Sequence, residues 1–123
     1  MKRAARRLLA GLVCALVLPA CASDPAGPAF VERFRAAAAQ ADAGALADLT
    51  ALPFLYEGRR LERTAFVREA APKLFTAGVR RCLQRAAAQP EGERLVLWCK
   101  PYGFHLGPVR GQWRLIEFVA DVD

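Results

Sequence analysis

Of the 123 residues, 18 are basic and 12 acidic, yet Lys2, Arg3, Arg6 and Arg7 precede Cys21 and no acidic residue does. From Cys21 onward the balance is 14 to 12, too even for a surface built to hold nucleic acid. Those 103 residues have room for one small core, and a lone His with Cys82 and Cys99, 17 apart, makes no tetrahedral metal set, so no metal or cofactor is expected.

The chain opens with that basic cluster, followed by an apolar run from Leu8 to Leu18 and then Pro19-Ala20-Cys21. A charged start, a short apolar middle and a small-residue end describe a secretory signal over residues 1–20. A spanning helix needs about 20 apolar residues, and this run is shorter. Leu18-Pro19-Ala20-Cys21 resembles the bacterial lipobox, with Pro19 departing from the usual small or β-branched residue. The resemblance implies that Cys21 becomes a lipidated N-terminus, a palmitate-type anchor holding the protein to the membrane. Ala22, where an Asp would retain a lipoprotein at the inner membrane, points to the outer membrane, facing the periplasm. Cleavage at the small-x-small site Ala20-Cys21-Ala22 would instead release a soluble periplasmic or secreted protein.

Residues 21–27 read as a tether and 28–123 as one domain. Phe30, Phe34, Ala37 and Ala41 recur at helical spacing behind Pro28, with Glu32, Arg33, Arg35 and Gln40 on the other side. Asp42-Ala43-Gly44 ends that helix, and a second one over Ala45 to Leu52, with Leu46 and Leu49 on one face, stops at Pro53. Phe54-Leu55-Tyr56 and Arg59-Arg60-Leu61 flank Glu57-Gly58 as a hairpin. Thr64 is the expected N-cap of a third helix carrying Phe66, Val67, Ala70, Leu74 and Phe75, kinked at Pro72 and closed by Gly78. Val79 to Ala88, Arg94 to Lys100, a piece near Phe104 to Leu106, and Gln112 to Ala120 then predict a three- or four-stranded antiparallel meander.

Cys14 leaves with the signal and Cys21 takes the lipid, so Cys82 and Cys99 predict one disulfide in an oxidising compartment. Centring the first hairpin between Pro90 and Glu91 sets Cys82 directly opposite Cys99, within bridging range. Strand parity then places Cys82, Gln84, Ala86, Leu95, Leu97 and Cys99 against the helices. The other face holds Arg81, Leu83, Arg85, Val96, Trp98 and Lys100, with Trp113 expected beside Trp98. Tryptophan, aliphatics and arginine on one sheet face are what interfaces enrich, so Arg81, Arg85, Trp98 and Trp113 are the expected partner-binding residues.

The order of elements, Asp42 with Leu46 and Leu49, Leu52-Pro53-Phe54 before a hairpin, Phe66 and Phe75 on the third helix, and Trp113-Arg114-Leu115-Ile116 at the end resemble the nuclear transport factor 2-like superfamily. The resemblance implies an α+β cone, a curved antiparallel sheet around helices, in a small bacterial lipoprotein member. It implies no activity, since that fold hosts enzymes and binders alike. SnoaL-like hydrolases and isomerases resembling it use an acid–base pair inside the cone, for which His105 and Tyr56 are the candidates here. The expected function is a non-enzymatic envelope lipoprotein that binds a protein partner or small apolar ligand, with a cavity enzyme or a homodimeric structural module as alternatives.

Overall fold

The computed structural model describes residues 24–120, so the expected leader, Cys14 and Cys21 lie outside the described residues. Within that span the protein is α+β, helices packed on a four-stranded antiparallel sheet whose strands, β3 (Gln89–Glu91), β4 (Arg94–Cys99), β5 (Tyr102–Val109) and β6 (Gln112–Ala120), lie side by side in chain order.

Helix α1 (Ala26–Ala39) starts inside the segment expected as tether, because the Asp24 carboxylate accepts from the Ala26 amide at 2.9 Å and begins the first turn. Its buried stripe is Phe30, Val31, Phe34, Ala37 and Ala38. Helix α2 (Ala43–Asp48) begins earlier than Ala45, since the Asp42 carboxylate caps it through the Ala45 amide at 3.0 Å. The chain then leaves the helix to run beside the last strand. Leu115 donates to the Leu49 carbonyl at 2.7 Å and Ala51 donates to the Leu115 carbonyl at 2.8 Å.

The hairpin of β1 (Phe54–Tyr56) and β2 (Arg59–Leu61) forms as expected, with Phe54 across from Leu61 and Tyr56 across from Arg59. The third helix is a composite: α3 (Arg63–Ala65), a π-helical turn (Phe66–Ala70) and α4 (Ala71–Leu74). Pro72 explains the break, because it lacks an amide hydrogen and its ring crowds the carbonyl four residues back. Glu62, not Thr64, occupies the cap position, and no side chain caps this helix.

Ala77–Leu83 is helix α5, not a strand. Thr76 accepts from the Val79 amide at 3.3 Å to start it, and Val79 and Leu83 are buried one turn apart. At its far end the Arg35 guanidinium donates to the Leu83 carbonyl at 2.6 Å, and the Gln84 side-chain amide donates to the Arg35 carbonyl at 2.9 Å. The first contact satisfies a carbonyl that the end of α5 leaves open, and the second ties that end to α1. The expected register of Cys82 opposite Cys99 is therefore absent. Strand β3 (Gln89–Glu91) instead pairs with β4 (Arg94–Cys99) so that Gln89 faces Val96 and Glu91 faces Arg94. The turn falls on Gly92-Glu93, where Gly92 takes φ +62, a conformation open to glycine at little cost.

Strand β5 (Tyr102–Val109) is longer than the short piece expected, because the β4–β5 turn is confined to Lys100 and Pro101, joined by a cis peptide bond. Strand β6 (Gln112–Ala120) pairs with it through Arg110-Gly111. Alternation along β6 is broken where His105 faces Glu117 while Leu106 faces Leu115, leaving Ile116 as an extra residue in a bulge. Side chains on either side of the bulge thus shift phase relative to an unbroken strand.

Between the layers the space is filled by rings. Phe34 lies 5.8 Å from Phe75 and 6.1 Å from Phe104 between centroids, Phe54 lies 5.3 Å from Phe66, and Phe118 lies 5.9 Å from Phe54 and 5.4 Å from Tyr102. Burying rings of this size is the main stabilising term of a domain with so little interior.

Candidate functional site

The open side of the sheet is set by the residues that alternate with the core. On β5, Phe104 and Leu106 are fully buried against the helices, so Gly103, His105 and Gly107 face outward. On β4, Leu97 and Cys99 point inward, and Arg94, Val96 and Trp98 outward. A row of glycine, histidine, glycine lets long side chains of neighbouring strands lie across the middle strand. The indole of Trp98 rests on Gly103, where a Cβ would meet its ring carbons at 2.5 and 2.6 Å. At Gly107 a Cβ would meet the Ile116 Cδ1 at 2.9 Å and the Arg94 Cγ at 3.1 Å.

His105 sits between these two covers. It is only 7% exposed although it lies on the outward face. The Trp98 ring stands edge-on to it at 6.4 Å, Val96 flanks it on β4, and Glu117 is its partner on β6. The Arg94 guanidinium reaches over β5 to bond Glu117 at 2.8 Å. The buried Nδ1 of His105 has no hydrogen-bond partner among the described residues. The outcome is a firm shelf with one aromatic, one ion pair and a covered imidazole. Trp98, 40% exposed, is the apolar group that stands out from it.

Tyr56 is on the other side of the sheet. It is buried in the core with its ring 5.9 Å from Phe118, and burial, then the neighbouring Glu57 carboxylate, raise its phenol above the usual 10.0. His105 and Tyr56 are therefore not brought together, and no acid–base pair forms between them.

The expected partner-binding quartet is also divided. Trp113 lies among the helices, its ring 6.3 Å from Phe30 and against Gly27, so it does not share the open face with Trp98. The bulge at Ile116 is the reason, since it sets Trp113, Leu115 and Phe118 on the core side and leaves Arg114, Glu117 and Val119 outward. Arg81 belongs to α5, and Arg85 follows it with its amide bonded to the Cys82 carbonyl at 2.9 Å. Both are exposed in the helical layer and not on the sheet face that carries the Trp98 side chain. What parity reasoning missed is Arg94, His105 and Glu117. The spacing Gly103-His105-Gly107 is a signal for them once those glycines are assigned to a strand and not to turns.

Cys82 and Cys99 do form a disulfide, with Cα atoms 5.7 Å apart, but it ties α5 to β4 and not one strand to another. Cys21 lies outside the described residues. No family model matches the chain, and neither does any curated protein or solved structure compared with it.

Proposed function

We propose that this protein is a non-enzymatic lipoprotein of the bacterial envelope, its domain a nuclear transport factor 2-like cone that receives a protein partner on the open sheet face. The observation that carries the partner reading is Trp98, 40% exposed and seated on Gly103 beside the Arg94–Glu117 pair. A half-exposed indole held by its neighbours loses little freedom on binding, which is why tryptophan dominates interface energetics. A small apolar ligand fits less well, because the space between sheet and helices is taken by Phe34, Phe75, Phe104 and Phe118. The disulfide supports an oxidising compartment, and the lipobox-like Leu18-Pro19-Ala20-Cys21 supports the anchor.

The test is chemical cross-linking and capture of the anchored protein in native membranes, comparing the unaltered chain with Trp98→Ala and Arg81→Ala. Trp98→Ala should lose the captured partner at least ten-fold, while Arg81→Ala keeps it. Equal capture by both would overturn the sheet-face reading. Independently, Cys21→Ser should abolish fatty-acid labelling, and labelling that persists would remove the anchor.

A further inference from the structure

The end of the sheet where β5 turns into β6 carries two adjoining surface hollows, of about 430 and 370 Å³. They share Gln112 and Arg114, and between them they hold three arginines, Arg33, Arg110 and Arg114, with no carboxylate in either lining. Arg80 and Arg81 line a hollow beside α5 without a carboxylate as well, so what sets this end apart is three arginines gathered beside the start of α1.

The arginines are placed, not neutralised. Arg114 donates to the Trp113 carbonyl at 2.8 Å and to the Gln112 side-chain oxygen at 2.5 Å, both uncharged. Arg33 lies over the Phe30 ring at 5.6 Å and also borders a neighbouring hollow that holds Asp42 and Asp48, so Arg110 and Arg114 carry most of the basic character here. Arg110 is at the tip of the turn, held at φ +52. None of the three is in an ion pair with a carboxylate among the described residues. Asp24, close by, directs its carboxylate at the Ala26 amide. Glu91 and Glu93 flank the β3–β4 turn at the same end but on the opposite edge, three strand spacings or about 14 Å from β6.

Chain length decides what anion meets this end. The first turn of α1, Ala26 and Ala29, lines the same hollow as Arg33 and Arg114. Cys21 precedes Asp24 by three positions, which is at most about 10 Å of extended chain. A lipid on Cys21 would bring these arginines within about one screening length of the bilayer surface. Guanidinium groups match phosphate oxygens with paired donors, and the half-buried indole of Trp113 between them suits a headgroup boundary.

We propose that this arginine-lined end docks on the phosphate headgroups of an anionic phospholipid surface, orienting the domain with Trp98 turned away from it. The proposal rests on the anchor at Cys21, and the experiment separates the two. The full-length protein purified from membranes is placed in vesicles of phosphatidylcholine alone or of phosphatidylcholine with phosphatidylglycerol, each with a trace of headgroup spin-labelled lipid. Trp98→Phe leaves Trp113 as the fluorophore, and Trp113→Phe leaves Trp98.

Quenching of Trp113 should rise with phosphatidylglycerol and fall with added salt, while Trp98 stays weakly quenched in both. Arg110→Gln and Arg114→Gln should each lower the docked-to-undocked ratio about five-fold. Trp113 quenching that ignores phosphatidylglycerol, or that both substitutions leave unchanged, overturns the docking surface. Flotation with phosphatidylcholine alone reads the anchor. A protein that fails to float there but still shows salt-sensitive quenching of Trp113 on phosphatidylglycerol upholds the arginine surface and removes the anchor.

Discussion

Tyr56 shows how much a single side chain owes to its surroundings. Its phenol is buried, and the proton is held more firmly than at the ordinary value of 10.0, first by desolvation and then by Glu57. A group whose folded pKa is raised gives stability that is complete below the unfolded value and is lost as pH climbs through the folded one. Denaturant midpoints should therefore fall as pH rises past about 10, and Tyr56→Phe should flatten that fall while leaving the unfolding free energy at neutral pH within about 1 kcal/mol. An identical alkaline decline in both proteins would mean that Tyr56 does not carry it. The position of Tyr56 was legible in the sequence, because Glu57-Gly58 is a strong local turn signal between alternating residues. That of His105 was not: Gly103 and Gly107 read as turn residues, whereas in the fold they make room for side chains from β4 and β6.

At the scale of elements, the shelf around Trp98 depends on that room. Gly103→Ala would place a methyl 2.5 Å from the indole and should cost about 1–3 kcal/mol through displacement of the ring or strand. In a Trp98→Ala background the same change should cost little, because the obstacle is gone. Thermal unfolding of the four proteins of this double-mutant cycle reads the coupling, and additive losses would mean that the ring does not rest on Gly103. Helix α5 teaches a related lesson about legibility. Val79, Cys82 and Leu83 stand at i, i+3 and i+4, the spacing of a helix face, whereas strand alternation sets Cys82 on the face opposite Val79 and Leu83, so the helical period was there to be read. The contact that favours the helix is Arg35, 48 residues away along the chain, donating to the Leu83 carbonyl. The bulge at Ile116 was equally hidden, since it arises where the chain crosses from pairing with Glu117 to pairing with Leu115 and no residue type announces it.

For the whole molecule, the α+β class and the pairing of Cys82 with Cys99 followed from composition, periodicity and cysteine number. The register used to place the bridge did not survive, yet the bridge did, because two cysteines in one small domain have few other places to meet. Linking residues 17 apart should stabilise the domain by about 3 kcal/mol, against a total on the order of 5–15 kcal/mol. Urea unfolding with and without reductant, or of the Cys82→Ala, Cys99→Ala protein, should show a loss near that size, and an unchanged midpoint would mean that the cross-link does not constrain the unfolded chain. The strap formed by Leu49 to Ala51 has a consequence of its own. By bonding the amide and carbonyl of Leu115 it covers the middle of the outer rim of β6, while the opposite rim, β3, has three residues with Pro90 in the middle, which has no amide hydrogen to offer. Both borders are thus interrupted, one at Leu115 and the other at Pro90, which shortens the run a foreign strand could pair with. Copies of this domain crowded on a two-dimensional surface would thus be kept from zipping into fibres, and association is left to faces, where it can stay finite and reversible.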